Sequence, residues 1–569
     1  MKSISRRSFI AGAAAANVAL GLGSVAAAVA EEAPAAPLYE LDNPPAPIPD
    51  DQIAETYTAD VIIVGSGPSG LCTAVSCQEN GVDVILFSAG SHAVGRGGSH
   101  QAFGSKYQKE LGIDYGPGSA DAFHCMRHEH YNATFMTDQR KWSRWLLNSG
   151  ASMDWMIDLM AKHGLNVSLE EGYNDPDGWL TSPPASHNFW NSEVLSGSTS
   201  GAPLVSQAYA DEFLENGGRI DWNTRALYLI REDDNKGRVS AVVAVTEDGS
   251  YVKYVANKAI VLATGDFTRD RELMQKYAPF AYESFADAID WNNYNYDTGD
   301  TFSGIFHGDG HKMGLWIGAA WQHAPVGQMV NSGMLGPRFH YSANFWGINL
   351  NRDGKRFMNE ITNFAYSADA FLMNPGKTAF FVWDSDYAYK KDQWIDWGYA
   401  YKEVNGIPAR TPEEEIAHWD LFVSTGMYVK GDTIEEVLDQ LEGIDKEAAL
   451  ESIAKYNKYA EQGYDEEYQV NPDYLFPIAT PPFYAAKASI ATDGSFGVPC
   501  LLTICGGLRT DDKMRVCDIN DNPIEGLYNV GIMTGDFYAN VYSFSLFGQN
   551  LGACCTTFPW LLGKDLAEL

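Results

Sequence analysis

The sequence predicts an α/β fold with a β-α-β core and an inserted α+β domain. Three observations lead to this prediction. An apolar strand, a glycine turn and a helix follow one another from residue 58, and the composition becomes mixed between about 318 and 505. Residues 506–569 then return to the glycine-rich strand-and-turn character of the first part. We therefore expect the end of the chain to rejoin its first domain.

The length and composition are those of a globular protein that encloses a large ligand. The chain has 569 residues, which is enough for two lobes. Hydrophobic residues make up 45% and aromatic residues 13%, with 54 glycines and 15 tryptophans. Many tight turns beside large apolar side chains favour an enzyme over a scaffold.

The formal net charge is strongly negative, at −34. Such a surface repels phosphate backbones and anionic lipid, so binding to nucleic acid or to a membrane surface is not expected. The acidity also suits an exported protein that must stay soluble. An electron carrier with a basic face would fit this surface.

The N-terminus has the pattern of a twin-arginine signal peptide over residues 1–30. Arg6 and Arg7 precede a mild Ala/Gly-rich apolar stretch, and an Ala-Val-Ala sequence at 28–30 offers a cleavage site. An uncleaved anchor is the alternative. After the signal, no apolar run reaches membrane-spanning length. We therefore expect a periplasmic or otherwise extracytoplasmic protein, held at a membrane only through a redox partner.

The order of elements after the signal predicts a parallel core. Residues 31–57 are rich in proline and alanine without periodicity, which predicts a linker. From residue 58 an apolar strand leads into a glycine turn, a helix and a second strand that begins at Val82. A later apolar strand ends in a turn at Gly265. This arrangement is typical of a dinucleotide-binding domain.

The first glycine turn carries the dinucleotide motif. Gly65, Gly67 and Gly70 follow the strand and open the helix, so backbone amides can receive a pyrophosphate. Tight packing between strand and helix is the alternative explanation. The acidic residue that usually ends the second strand is replaced by Ser88, which makes a weaker hydrogen bond to a ribose hydroxyl.

A second glycine cluster and two amphipathic helices complete the pattern. Gly97, Gly98 and Ser99 would let the backbone press against a flat ring system. Strand-like pieces lie near 347–360 and 378–384. Farther on, Thr433 and Glu436 have capping-box spacing and Gly443 interrupts the apolar periodicity, which predicts two structural helices.

The sequence offers little for a metal or a second redox centre. Its eight cysteines form no C-x-x-C pair, which excludes a zinc ribbon and a C-x-x-C-H haem site. The segment HCMRHEH places His124 and His128 four residues apart, but it lacks the H-E-x-x-H order. We predict no metal site and expect electrons to arrive from a separate protein.

Together with the segments LATGDF and EGLYNVGIMTGDFYAN, these motifs resemble FAD proteins of the fumarate reductase and succinate dehydrogenase flavoprotein superfamily, in its soluble, flavocytochrome-like branch. The resemblance covers residues 58–569. It implies an FAD-binding Rossmann-like domain in two segments, 58–317 and 506–569. It also implies an inserted α+β capping domain at 318–505 that closes over the flavin.

The resemblance implies that FAD contacts both glycine clusters, the end of a later strand and a C-terminal helix start. That helix start would direct amides and a helix dipole toward the negative edge of the reduced flavin. The implied cofactor residues are Gly65, Gly67, Ser69, Gly70, Ser88, Gly97, Gly98, Ser99, Thr264, Gly265, Asp266, Gly548, Asn550 and Leu551.

The resemblance also implies a mechanism. Reduced flavin delivers hydride to the β-carbon of an electron-poor alkene, and an arginine in the motif G-x-R-F-x-N-E delivers a proton to the α-carbon. Residues 354–360 match this motif, so Arg356 is the first candidate for the proton donor. Because free arginine has a pKa above about 12, it needs a relay that replaces its proton. The alternative is a structural arginine paired with a carboxylate such as Glu360.

Departures from the family pattern concern the substrate. His323 fits the first of three cationic positions that hold the carboxylates of fumarate, but Thr503 and Val541 occupy the other two. A dicarboxylate would lose its charge-assisted hydrogen bonds here. We therefore expect a larger, less charged substrate. The usual relay is not evident, although Arg338 lies upstream of Arg356.

The segment VYSFSLFGQNLG resembles a tyrosine-containing loop of 3-ketosteroid dehydrogenases in the same superfamily. Tyr542 in this loop could polarise a ketone or donate a proton, and packing is its alternative role. The implied active-site residues are thus His323, Arg356 and Tyr542, with either Arg356 or Tyr542 as the proton donor.

The sequence therefore predicts an exported flavoprotein reductase that saturates an activated C=C bond as an anaerobic electron sink. The substrate would be an enoate or enone with an aromatic or polycyclic body, and the electron donor a separate cytochrome or flavin carrier. A 3-ketosteroid-type dehydrogenase and a non-catalytic flavin electron carrier are the alternatives.

Overall fold

The computed structural model describes residues 40–113, 115–170, 184–192, 201–298, 306–331, 343–344, 347–390, 410–490, 499–543 and 548–569. The predicted signal peptide, residues 31–39 of the predicted linker and Arg338 lie outside these residues. None of the helices in the described part of the chain is long and apolar enough to span a membrane.

The strands are numbered in chain order. They are β1 Ile53–Val64, β2 Val84–Phe87, β3 Ser99–Gln101, β4 Asn166–Leu169, β5 Ser186–Trp190, β6 Arg219–Asp221, β7 Thr224–Arg231, β8 Val239–Thr246, β9 Tyr251–Leu262, β10 Gly327–Asn331, β11 Ala343–Asn344, β12 Ile348–Asn351, β13 Thr362–Asn363, β14 Thr378–Asp384, β15 Val429–Gly431, β16 Phe483–Ser489, β17 Cys500–Cys505, β18 Arg515–Cys517 and β19 Pro523–Asn529.

The principal helices are numbered in the same way. They are α1 Pro68–Glu79, α2 Lys106–Glu110, α3 Ala120–Asn132, α4 Gln139–Lys162, α5 Ala202–Glu215, α6 Arg271–Tyr277, α7 Pro279–Phe285, α8 Asp309–Trp316, α9 Phe364–Leu372, α10 Asp386–Tyr389, α11 Pro412–Ser424, α12 Ile434–Asp439, α13 Lys446–Gln462 and α14 Phe558–Ala567. A π-helical segment, Asn550–Thr557, leads into α14.

The main sheet combines both ends of the described chain. Its order is β18-β19-β9-β1-β2-β6, with β8 and β7 added beside β9. β1 runs parallel to both β2 and β9, and β19 is parallel to β9. Since β18 and β19 follow residue 506, the prediction of an α/β Rossmann-like fold in two segments is confirmed.

The alternation of side chains in β1 explains how this sheet is covered on both faces. Val61 and Ile63 belong to the core cluster that includes α1, whereas Ile62 and Val64 pack with residues of β8. All four side chains are buried. A parallel strand that is buried on both faces reads as a continuous apolar run, and this is the pattern the sequence shows.

Strand β1 begins before the predicted end of the linker. Residues 53–57, which we assigned to the linker, form the first part of β1 and pair with β9. Three of these five side chains are exposed and two are partly buried, so this end of the strand lacks the buried apolar run that marks the rest of it. The second strand begins at Val84 and not at Val82.

The inserted part forms its own small sheets. β12, β14, β16 and β15 make an antiparallel sheet, β10 pairs with β17, and β11 pairs with β13. The two predicted helices α12 and α13 are present, and the Thr433 side chain accepts a hydrogen bond from the Glu436 N–H at the start of α12. Gly443 separates them with a φ of +86°. The domain boundaries themselves stay a prediction.

Candidate active site

The first glycine turn contains glycines of two kinds. A Cβ on Gly65 would lie 2.3 Å from the Ala263 carbonyl oxygen, and a Cβ on Gly70 would lie 2.1 Å from the Gly65 oxygen. These two glycines therefore serve strand-helix packing, as the alternative explanation holds. A Cβ on Gly67 would meet no protein atom within 4 Å. Gly67 thus borders open space at the helix start.

That open space faces an uncapped helix N-terminus. Gly67 is the N-cap of α1 and has no side chain to accept hydrogen bonds from the first turn, and Pro68 occupies the first helical position. Ser69 is buried in this turn. Free N–H groups and the positive end of the helix dipole together favour a bound phosphate.

Ser88 lies where the sequence places it, directly after β2. Its hydroxyl oxygen accepts a hydrogen bond from the Ser66 hydroxyl, at 2.8 Å. Its backbone is fixed between Asp221 and Thr224. Ser88 keeps its own hydroxyl hydrogen, which can be donated to a ribose oxygen.

The second glycine cluster and the C-terminal helix start are in contact. A Cβ on Gly548 would lie 2.2 Å from the Ser99 carbonyl oxygen, and Gly548 has a φ of +71°. The Gln101 N–H donates to the Gly548 carbonyl at 3.0 Å, and Leu551 lies 3.5 Å from a Cβ placed on Gly97. The structure thus joins two segments that the sequence assigned to one cofactor. Gly98 lies between them in the cluster.

Buried polar atoms without partners mark the same place. In the part of the chain that the structure describes, His100 Nε2, Gln549 Nε2 and Asn550 Oδ1 are buried and make no hydrogen bond. Burial and the nearby His187 lower the pKa of His100 to about 3, so its ring is neutral. Unpaired buried polar atoms are costly unless a ligand satisfies them. A ring system edged with hydrogen-bonding groups, such as flavin, fits these atoms.

Asp266 has a different role from the one expected. Its buried carboxylate accepts hydrogen bonds from Arg96 at 3.1 Å, from the backbone and hydroxyl of Thr268, and from Thr503. Its acceptor sites are therefore filled by protein groups, which leaves only its backbone for FAD. Thr264 and Gly265 form the preceding turn, where the Thr264 hydroxyl accepts from the Gly310 N–H.

Arg356 lies in a dense network of buried carboxylates. Its Nε and one terminal nitrogen donate to Glu360 at 2.9 and 2.6 Å, and its two terminal nitrogens donate to Asp465 at 3.0 Å each. A carboxylate oxygen of Glu467 lies 3.6 Å from a terminal nitrogen of Arg356, and the rings of Tyr456 and Tyr468 flank the guanidinium. The side chain is only 1% exposed.

This geometry matches the structural alternative for Arg356. Burial alone would lower the pKa of its guanidinium, but the pairs with Glu360 and Asp465 outweigh burial and raise it. A guanidinium with nearly every donor already paired has no proton to present to a substrate. The pairing therefore favours the structural alternative, in which Arg356 stabilises the turn between β12 and the following segment, over its assignment as proton donor.

His323 lies between two carboxylates. Its Nδ1 lies 2.9 Å from Asp536 and its Nε2 lies 3.2 Å from Asp521, and the side chain is 56% exposed. Its hydrogen bonds therefore connect it to the C-terminal segment and not to the network around Arg356. The structure does not join these two predicted active-site residues.

Tyr542 is the predicted active-site residue that contacts the cofactor segments. It is buried, and its ring centroid lies 4.9 Å from that of Tyr538. Burial raises the pKa of its hydroxyl, and a backbone hydrogen bond from Asn550 opposes this shift. The Tyr542 hydroxyl thus lies at the helix start that the sequence assigned to the flavin.

Two residues beside Tyr542 were missed in the sequence. Glu129 is buried on α3, and the Ser543 hydroxyl donates to its carboxylate at 2.5 Å. Glu129 lies within the HCMRHEH segment. There the histidine spacing suggests a metal site, and nothing in the spacing indicates a role for the glutamate. His128 instead lies 3.0 Å from Asn132. Only the amphipathic pattern of α3 could have indicated that Glu129 points inward.

Comparisons with known proteins bear on the family and the cofactor of this chain. The family model described as FAD binding domain matches residues 60–543. A vinyl phenol reductase from Lactiplantibacillus plantarum is 23% identical, with 90% of this chain and 96% of that protein covered. A fumarate reductase (cytochrome) from Shewanella frigidimarina is 24% identical, with 90% of this chain and 77% of that protein covered.

A solved structure of a 3-ketosteroid dehydrogenase from Rhodococcus jostii shares the fold. Its TM-score is 0.65 at 20% identity, with 90% of this chain and 97% of that chain covered. The family match spans well over half of the chain, and the resemblance stated from the motifs is confirmed, as is FAD as the cofactor. The chain belongs to the FAD binding domain family and is an FAD-dependent oxidoreductase of the fumarate reductase and succinate dehydrogenase flavoprotein superfamily.

Proposed function

We propose that this protein is an exported reductase that transfers hydride from reduced FAD to an activated C=C bond. The substrate is an enoate or enone with an aromatic or polycyclic body. Two of the relatives, a vinyl phenol reductase and a fumarate reductase, are named for substrates that contain such a bond. These names support the reaction, and the residues of this chain support the choice of substrate.

The Thr503 hydroxyl is the observation that carries the substrate proposal. It donates to the buried carboxylate of Asp266, so a residue at a position expected to hold a substrate carboxylate instead contacts an anion. Val541 occupies another of the three positions expected to hold a substrate carboxylate, and its side chain has no charge. The nearby cation Arg96 lies 3.1 Å from Asp266 and is neutralised by it. A dicarboxylate would be poorly held here.

The buried tyrosine supplies the proton in this proposal. When bound, reduced FAD supplies the hydride. Tyr542 places its hydroxyl by the Asn550 helix start, and its O–H group donates a proton to the adjacent substrate carbon. Arg356 holds the turn in the inserted part and does not touch the substrate. His323 lies at the edge of the C-terminal segment.

Export and the electron supply belong to the same proposal. The paired Arg6 and Arg7 support twin-arginine export of a protein that folds around FAD first. A separate cytochrome or flavin carrier then reduces the FAD, and the protein acts as an anaerobic electron sink. The cytochrome relative supports such a carrier, because its name joins a fumarate reductase to a cytochrome.

An anaerobic dye assay tests this function. The purified protein is mixed with reduced viologen, and fumarate, an aryl acrylate or a steroid enone is added. We expect the acrylate or the enone to oxidise the dye, and fumarate to leave it reduced. Tyr542→Phe should lower kcat by about 10²-fold. Tyr209→Phe, which changes an equally buried tyrosine of α5, is the matched control.

Other outcomes favour other functions. Rapid oxidation by fumarate would contradict the argument from Thr503 and Val541. Turnover of a saturated steroid ketone with an artificial acceptor, without any enone reduction, would establish the dehydrogenase. A flavin that accepts electrons but transfers none to any alkene or ketone would establish an electron carrier.

A further inference from the structure

The inward face of α3 brings a carboxyl group to the proposed proton donor. Glu129 is 5% exposed. The hydroxyl of Ser543, the residue after Tyr542, donates to its Oε1 at 2.5 Å. Nothing in the mechanism proposed above uses this carboxyl group. A buried acid beside a proton donor therefore needs an explanation.

The backbone around this contact is held in strained conformations. Thr134 and Phe135, just after α3, have φ values of +53° and +55°, and Asp536 and Asn540 have φ values of +61° and +65°. The Asn540 side chain bridges the two segments, since it donates to the Ala133 carbonyl at 3.3 Å and to the Thr134 hydroxyl at 3.0 Å. Left-handed residues other than glycine persist where surrounding contacts fix them, often at functional sites. The position of Glu129 relative to Tyr542 is thus fixed.

Glu129 is coupled electrostatically to both buried tyrosines. Burial raises the pKa of its carboxyl group to about 7, while hydrogen bonds from Ser543 and Asn132 oppose the rise. When Glu129 is ionised, its charge raises the pKa of the Tyr538 and Tyr542 hydroxyls. On the same helix, the charge of Glu129 also raises the pKa of the Cys125 thiol.

We propose that Glu129 is a positioning residue that controls proton donation by Tyr542. As a neutral acid Glu129 does not oppose loss of the Tyr542 proton, and as a carboxylate it holds that proton back. This inference rests on the proposed reductase function, because it concerns the proton that completes reduction of the alkene. It adds a control of that step by pH.

The proton step balances without a further reactant. The Tyr542 O–H bond breaks as a C–H bond forms at the substrate carbon that gained charge when hydride was added. The tyrosinate then takes a proton from solvent before the next turnover. A carboxylate at Glu129 opposes formation of the tyrosinate, since two negative charges in a buried site repel each other.

The pH dependence of kcat tests the inference on the holoenzyme. With the best alkene from the dye assay, we expect wild-type kcat to fall by roughly tenfold as pH rises through 7, because the carboxylate of Glu129 raises the pKa of Tyr542 and makes it a weaker acid. Glu129→Gln, which stays neutral, should remain flat and exceed the wild type about tenfold at pH 8.5. Glu415→Gln, which changes a buried glutamate of α11, should keep the wild-type profile.

A second variant should shift the pH dependence of kcat in a known direction. The Ser543 hydrogen bond favours the ionised form of Glu129, so Ser543→Ala should raise the pKa of Glu129 and move the fall in kcat to higher pH. An alkaline fall that is unchanged in Glu129→Gln would overturn the inference while leaving the reductase intact. An absence of alkene turnover in the wild type at every pH would instead overturn the proposed function. Retained FAD absorbance in each variant checks that it has folded.

Discussion

At the scale of single residues, Arg356 shows how a motif can match while the surrounding contacts favour a different role from the expected one. The segment from Gly354 to Glu360 agrees with the family motif at each fixed position. Asp465, which takes two of the guanidinium donors, lies 109 residues farther along the chain. Nothing near Arg356 in sequence indicates that partner. The sequence therefore could not predict the partners of this arginine.

Replacing Arg356 should damage stability more than chemistry. Arg356→Ala leaves the buried carboxylates of Glu360 and Asp465 without their partner, which should lower the free energy of unfolding by about 3–5 kcal/mol. The rate per folded holoenzyme should change little. Urea unfolding and kcat measured on the same preparation check both statements.

Arg352 provides the control for this experiment. It lies four residues earlier, and its nearest carboxylate is the exposed Asp353 at 3.7 Å. Arg352→Ala should leave stability nearly unchanged, because exposed ion pairs contribute little. If Arg356→Ala kept full stability but lost turnover, Arg356 would be the proton donor after all.

Glu129 should also make folding stability depend on pH. Its folded pKa of about 7 lies above the ordinary 4.5. Between these values the folded state binds a proton that the unfolded state has lost, so stability falls as pH rises from about 4.5 to 7. Wild-type Tm should drop across this window by more than the Tm of Glu129→Gln. Parallel curves would show that Glu129 is not the titrating group.

At the scale of elements, the β1-α1 unit was predictable because its signals are local. An apolar strand, three glycines and a helix lie within about thirty residues. The same holds for α12 and α13, whose cap and glycine break are visible in sequence. Glu129 and Ser543 are 414 residues apart in the chain, so no local sequence pattern predicts their contact.

The two kinds of glycine in the first turn should respond differently to alanine. Gly67→Ala adds a methyl group to open space at a φ of −74°, so unfolding of the FAD-free protein should change by less than about 0.5 kcal/mol. FAD affinity should fall, because that space receives the pyrophosphate. Titration of FAD by tryptophan fluorescence measures the loss.

Gly70→Ala is the contrasting variant. Its Cβ would collide with the Gly65 carbonyl oxygen, so the FAD-free protein itself should lose stability. If Gly67→Ala bound FAD as tightly as the wild type, the assignment of this turn to the cofactor phosphates would be wrong.

At the scale of the whole molecule, the main sheet depends on strands from both ends of the chain. β19 is parallel to β9 and extends the sheet on the side opposite β2. The return of glycine-rich character after residue 506 indicated this topology. The order of strands could not be read from sequence, because several parallel orders bury the same apolar runs.

Export is also a property of the whole molecule. Changing Arg6 and Arg7 together to lysine should keep the FAD-loaded protein in the cytoplasm, because the twin-arginine pattern is the proposed export signal. Cell fractionation with FAD absorbance reports where the protein resides. Unchanged export of the double variant would remove the proposed route.

The central claim is that this protein reduces an alkene that lacks two carboxylates, and single-turnover reoxidation of its flavin tests this claim most directly. FAD is reduced with two electrons under anaerobic conditions, and its absorbance is followed after rapid mixing with an aryl acrylate, a steroid enone or fumarate. We expect the acrylate or the enone to restore the oxidised spectrum and to yield one saturated product per flavin. Reoxidation by fumarate alone, or by none of the three, would contradict it.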